Sequence, residues 1–287
     1  MPHHSGGVQP GSLRSTVSSN KGCGDVLYEN LFIVNGGLLL WEQHYFALMA
    51  AMRMLRMKIP SSFSPEYLEE YILDQARVQL GPDLPLEVAC RFRLWRERTG
   101  GQMLKGNEVI SYGLDIDPLT DFRRLEKDER ETHIYLDHRL PASLLSGLGI
   151  PSLPLFSVAE VFAGENDWAD LVLLNEQKRI ARSIRGVIWI IGEDNNWKTP
   201  SLEEGAPARV GRTHFMEFLN SSGSHRAEST QLVPFELNTA QCLVIQQEPF
   251  RFYLVPKYKR RPYETQQAER IITEYHRQIG LQLYLNT

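Results

Sequence analysis

Between Asp170 and Arg212 the chain reads DLVLLNEQKRIARSIRGVIWIIGEDNNWKTPSLEEGAPARVGR, and no other stretch restricts the fold as much. Its apolar residues fall in short runs, Leu171 to Leu174, Ile180-Ala181 and Val187 to Ile191, each bounded by polar residues. Such runs are too short for helices and read as strands. Asn195-Asn196 supplies a turn, and Gly205-Ala206-Pro207 leads into a helix, THFMEFL. Many short strands with few helices predict an α+β fold whose second half is barrel-like.

A chain of 287 residues is long for one core and natural for two domains of ordinary size. Hydrophobic residues make up 42% and charged residues 23%, the balance of a soluble globular protein. The net charge of −4 gives no reason to expect nucleic acid as a partner. Three scattered cysteines, Cys23, Cys90 and Cys242, do not make a disulfide scaffold and suit a reducing cytoplasm. No CxxC or His/Cys cluster has metal-ligand spacing, so no metal is expected. Nor is there the apolar run of a signal peptide, or the roughly 20 apolar residues of a membrane span. The expectation is a cytoplasmic protein with no membrane partner.

Residues 1–22 read as a flexible segment rich in Gly, Ser and Pro. A small domain follows over 23–122. It should open with a hairpin, VLYENLFIV and LLLW, turned at Asn35-Gly36-Gly37. A helix is expected over 43–57, and a second one begins at Ser64 as cap with Pro65 at its first position. Strands are expected at 86–96 and 109–116. The mixed-charge run 123–131 reads as a linker. The large domain, 132–287, should hold the strand HIYLDHR, a helix through Val161, the strands above, a polar loop over 221–229, strands at 243–244 and 252–255, and a last helix over 265–279. The basic run Lys257 to Arg261 reads as a solvated loop.

Several segments have a shared order that belongs to a known family. Gly24-Asp25 and Glu29 in GDVLYEN come first, then WEQHYFALMAAMRMLRMKIP, then Leu173-Leu174-Asn175, then Thr199-Pro200-Ser201-Leu202 with Gly205. On these motifs the chain resembles the pyridoxal-phosphate (PLP) enzymes of fold type IV, the class IV aminotransferases. That family includes branched-chain and D-amino acid aminotransferases and aminodeoxychorismate lyase. The resemblance covers about Gly24 to Val255. It implies a small N-terminal α/β sandwich domain, a larger C-terminal pseudo-barrel domain, and a homodimer.

The same resemblance implies a set of cofactor contacts that this chain does not carry. PLP is held as an imine of a lysine, which also shuttles the proton. The family lysine falls on Gly149, and no lysine occurs between Lys127 and Lys178. The arginine that grips the phosphate falls on Ala47, and alanine offers an anion no donor. The Gly-Ile-Thr turn at a helix N-terminus is Arg209-Val210-Gly211, and a later Thr-Asn pair is Gln246-Gln247. The glutamate that keeps the pyridine nitrogen protonated is Arg182, and an asparagine near it is Val187.

These substitutions imply a family member without PLP catalysis and with no expected cofactor: a pseudoenzyme that binds a ligand or pairs with an active paralogue. One alternative is an active PLP-dependent aminotransferase or lyase using Lys105, Lys127 or Lys178. Another is a PLP-independent binder of a small anionic ligand through Arg182, Arg185, Arg209 and Arg212. Against that last reading, the arginines would face solvent or pair with Glu203 or Glu204. Asp25 and Glu29 share a strand face and read as structural before catalytic. His44 reads as a helix-start residue.

Overall fold

A computed structural model describes residues 26–96, 109–118, 125–148, 154–192, 195–221, 223, 225–247 and 250–285. Its first half is one antiparallel sheet backed by two helices. Strand β1 (Val26–Val34) turns through Asn35 and Gly36, both at positive φ, into β2 (Gly37–Leu38). The second arm of the expected hairpin is only two residues long, because Leu40 adopts the left-handed conformation and starts helix α1 (Trp41–Met54). Helix α2 (Pro65–Leu80) begins as its sequence predicts, with Ser64 Oγ accepting from the Tyr67 N–H at 3.1 Å. β1 pairs along its whole length with β3 (Glu87–Arg96), which pairs with β4 (Ile110–Pro118). Leu27, Leu31 and Ile33 alternate on the face covered by Leu48, Met52, Leu68 and Ile72 of the two helices.

The second half has two sheets. In chain order its elements are β5 (Leu125–Lys127), β6 (Thr132–Leu140), α3 (Pro154–Glu165), β7 (Asp170–Asn175), β8 (Ile180–Ser183), β9 (Val187–Ile191), β10 (Asn196–Pro200) and α4 (Val210–Ser221). There follow β11 (Arg226–Thr230), α5 (Glu236–Thr239), β12 (Cys242–Gln247), β13 (Arg251–Val255), β14 (Lys257–Tyr258), β15 (Arg261–Pro262) and α6 (Gln266–Leu285). One sheet has the order β11-β10-β9-β12-β13-β5, the other β15-β14-β6-β7-β8. The run VIWII is apolar throughout because both its faces are buried. Ile188 and Ile190 meet Val172 and Leu174 of the facing sheet, while Val187, Trp189 and Ile191 pack with Phe215 of α4 and Tyr275 of α6. Phe32 of β1 enters this second core and lies 6.2 Å from Phe250, ring to ring, so the halves share apolar contacts.

Two segments depart from the sequence reading. Within the run 123–131, read as a linker, Leu125–Lys127 forms β5 and pairs in parallel with β13, with Glu126 bridging to Arg251 at 2.8 Å. Within 221–229, read as a loop, β11 begins at Arg226 and pairs in parallel with β10. Both are edge strands with few buried side chains, so their sequences lack the apolar pattern that marks the central strands.

Asp170 opens β7 and is 1% exposed. Its Oδ1 accepts from the Leu171 N–H, but burial pushes its carboxyl up to about 6 from an ordinary 3.8, a shift that this bond and Arg185 only partly oppose. A raised acid pKa means that the folded chain holds a proton the unfolded chain has released. Between about pH 4 and pH 6 this group therefore costs stability as pH rises, by up to about 3 kcal/mol. Asp170→Asn should accordingly gain on the wild type, in urea midpoint, from pH 4 to pH 7. A pH-independent difference between the two proteins would contradict this.

Candidate functional site

Helices α1 and α4 come from opposite halves of the chain and lie in contact. Between them is a cavity of about 300 Å³, lined by Gln43 and Ala47 of α1 and by Arg209, Arg212, His214 and Glu217 of α4 and its approach. The volume is at the small end of metabolite sites. Val210, His214 and Glu217 recur at helical spacing, which turns them to one side of α4.

One end of the cavity is cationic. Arg209 and Arg212 are each only 6% exposed. The Arg209 guanidinium lies 5.1 Å from the Tyr28 ring centre and donates to the Tyr28 hydroxyl at 3.2 Å. Arg91 lies over the same ring at 4.9 Å, so the ring carries two cations. Arg212 donates through Nη2 to Pro200 O at 2.9 Å and Ser229 Oγ at 2.8 Å, and its Nε has no partner. Among the described residues no carboxylate is within ion-pair distance of Arg212. Burial pushes this guanidinium down to about 10, with the charge of Glu203 opposing. A buried cation whose counter-charge is an exposed carboxylate beyond ion-pair distance is costly, and an anion would relieve it. The first turn of α4 adds backbone N–H donors that no intrahelical carbonyl takes up, among the buried residues Val210, Gly211 and Arg212.

The lining also carries an imidazole and a carboxylate. His214 Nδ1 lies 2.9 Å from the Tyr275 hydroxyl, and burial lowers the histidine below its ordinary range, with Glu217 opposing. Glu217 is exposed on the same helix.

Of the positions singled out from sequence, Ala47, Arg209 and Val210 meet at this cavity, and Gly211 lies in the same helical turn. The others are elsewhere. Arg182 sits on β8 with its guanidinium 4.8 Å from the centre of the Phe156 ring and its Nε donating to Ser183 O. Val187 is fully buried in the β9 core, in register with Gln246. Gln246 Oε1 accepts from Trp189 Nε1 at 2.9 Å, and Gln247 is half-buried at the end of β12. Gly149 lies outside the described residues, as do Asp25 and Lys105. Lys178 is exposed in the β7–β8 turn, and the side chain of Lys127 is not described. Among the described residues, no lysine lines the cavity.

Of the two acids expected to pair with these arginines, Glu203 acts on Arg212 through its charge without reaching ion-pair distance, and Glu204 turns elsewhere. Glu204 instead bonds Arg179 at 2.7 Å and the Asn175 side chain, which ties the β7–β8 turn to the segment before α4. Arg185 lies 5.2 Å from the Tyr253 ring centre. His44 is more than a helix-start residue: it is 1% exposed, and its Nδ1 lies 2.7 Å from buried Glu29. Sequence reasoning did not find Gln43, His214 or Glu217. The helical spacing of 210, 214 and 217 was a visible signal, but nothing local says what that face meets.

Three sheets with this strand order, the second half curled into half-barrels, define the two-domain α+β architecture of fold type IV. A protein of Legionella pneumophila assigned as a 4-amino-4-deoxychorismate lyase superposes with a TM-score of 0.75 at 15% identity, covering 92% of this chain and 96% of that one. The branched-chain aminotransferase of Thermoproteus uzoniensis, with norvaline, superposes at 0.77 and 13% identity, covering 89% and 85%. A hypothetical aminotransferase of Mycobacterium tuberculosis in a PLP-bound form superposes at 0.70 and 17%, covering 93% of each chain. At these identities the likeness is one of fold. The amino-transferase class IV family model matches residues 26–245, and the chain belongs to that family. No curated protein matches in sequence. Among the described residues there is no cluster of three potential metal ligands, and no helix is long and apolar enough to cross a membrane.

Proposed function

We propose that this chain is a class IV family member that has lost PLP catalysis and acts as a pseudoenzyme, binding a ligand or pairing with another subunit. The observation that carries the reading is Ala47. It lines the same cavity as Arg209 and Val210 at the start of α4, the resemblance calls for a phosphate-gripping arginine at its position, and alanine offers no donor. Arg182, in place of the carboxylate for the pyridine nitrogen, is stacked on Phe156. These residues do not fit the cofactor as the family holds it. A second copy of the chain or an active paralogue is the proposed partner. A reducing cytoplasm suits the buried free thiols of Cys90 and Cys242.

A second reading, a PLP-independent binder of a small anion, is favoured by buried Arg212, with no described carboxylate at ion-pair distance, beside buried Arg209 at the α4 N-terminus. It is compatible with the first. Mixing the purified protein with PLP, followed by borohydride reduction and mass spectrometry, separates both from an active enzyme. The expected result is no visible absorption of a lysine imine and no stoichiometric lysine adduct. A stable yellow complex with one trapped lysine overturns the pseudoenzyme reading and identifies the lysine, with Lys105, Lys127 and Lys178 as candidates.

A further inference from the structure

Between the two sheets of the second half, three side-chain oxygens have no hydrogen-bond partner in the protein: Thr132 Oγ1 of β6, Asp170 Oδ2 of β7 and the Tyr253 hydroxyl of β13. Their residues are at most 1% exposed. Thr132 and Asp170 are register partners in the parallel β6–β7 pair, so both side chains leave the sheet on one face. Asp170 shares that face with Val172 and Leu174, which meet the other sheet, and Tyr253 belongs to that other sheet and the same core. Burial pushes the Tyr253 phenol up to about 12; the charges of Asp128 and Asp170 add to the rise, while Arg185 and the Thr132 side chain oppose it. The three groups are thus near enough to act on one another, yet none of these oxygens reaches another at bonding geometry. Dry polar oxygens in an apolar seam are costly, and native interiors rarely keep them.

Charge decides what can join them. Asp128 is closed by Arg130 at 2.6 Å, and the charge of Asp170 is opposed by Arg185, whose guanidinium lies 5.2 Å from the Tyr253 ring centre. Two carboxylates are matched by two guanidiniums, so an added ion of either sign would leave the seam charged. A divalent cation would also want about six oxygens, and three converge. An ionised carboxylate only accepts, whereas a hydroxyl donates and accepts, so the ligand must be neutral and able to do both. We propose that Thr132, Asp170 and Tyr253 hold a single buried water molecule that bridges the two sheets at this seam. It donates to Asp170 Oδ2 and Thr132 Oγ1 and accepts from the Tyr253 hydroxyl, three bonds being usual for interior water. Asp170 Oδ1 already accepts from the Leu171 N–H, so both carboxylate oxygens are then bonded. Through the water, Tyr253 and Thr132 support a carboxylate that neither of them bonds directly.

The test uses the full chain, with a crystal structure that resolves ordered water and a titration of the Asp170 carboxyl by carbon NMR. The structure should show one peak within about 2.6–3.2 Å of all three oxygens. Tyr253→Phe removes one partner and keeps the ring. The peak should weaken or vanish, and the Asp170 midpoint should rise by at least about half a pH unit, because the carboxylate loses support. Thr132→Val should act in the same direction. Tyr263→Phe is the control: it removes a hydroxyl from the same core, one that donates to Leu237 O at 2.6 Å, and should leave the Asp170 midpoint in place. No peak at this position in the wild type overturns the proposal, whether or not the variants fold. So does a peak whose height follows the cation concentration, since the occupant is then an ion. An Asp170 midpoint that Tyr253→Phe does not move, or that Tyr263→Phe moves equally, overturns the bridge.

Discussion

Replacing Gly186 by alanine is expected to cost at least about 3 kcal/mol of stability, because the added methyl has no place to go. A Cβ at this position would lie 2.2 Å from the Gln246 carbonyl oxygen and 3.1 Å from its carbon. Both obstacles are main chain, so no side-chain rotation relieves them. Gln246 is paired with Val187 across the β9–β12 ladder, and moving it disturbs strands buried on both faces. The β8–β9 turn is held at both ends as well. Ser183 Oγ accepts from the Gly186 N–H at 3.0 Å, and the Ser183 N–H donates to Gly186 O at 3.0 Å. Urea denaturation of the two proteins measures the loss. A change below about 1 kcal/mol would mean that the strands are not as closely apposed as the fold requires.

Phe215→Ala should be comparably damaging, at about 3–5 kcal/mol. Phe215 is fully buried and is the hub of an aromatic cluster. Its ring centre lies 5.2 Å from that of Trp189, 5.4 Å from that of Trp197, 4.8 Å from that of Phe252 and 4.9 Å from that of Tyr275. Removing it leaves a cavity that rigid neighbouring rings cannot close, and forfeits several edge-to-face contacts. Phe215→Leu, which removes less volume and stays apolar, should cost clearly less. The effect reaches the candidate site, since Phe215, with Leu219, seats α4 on its sheet. Phosphate binding should therefore weaken in the alanine variant even below its melting temperature. Unchanged affinity in a folded Phe215→Ala protein would show that α4 is held by other contacts.

The elements easiest to read in the sequence were those fixed by local chemistry. Asn35-Gly36 can turn a hairpin because both residues accept positive φ, and Ser64-Pro65 caps and opens α2 whatever lies around it. The run VIWII announced a strand because only burial on two faces favours five successive apolar residues. β5 and β11 were missed for the converse reason. An edge strand is specified by the main chain of its neighbour, and LEK or RAEST carries no apolar stripe to reveal it.

The candidate site divides along the same line. The reading of Ala47, Arg182, Arg209 and the Gln246-Gln247 pair as departures from the cofactor contacts that the resemblance implies rests on residue identity and needs no coordinates. What those departures make was decided by tertiary structure. Arg182 and Arg209 have the same side chain, yet one stacks on Phe156 while the other reaches across to Tyr28, 181 positions earlier, and lines the cavity. Gln43 and Glu217 are 174 residues apart and acquire a joint meaning only when α1 and α4 touch. The sequence alone determined the fold family and the main elements, because turn geometry and apolar periodicity act over a few residues. Which charges are buried together, and therefore what the cavity can attract, depended on the long-range packing of two helices, which no local pattern encodes.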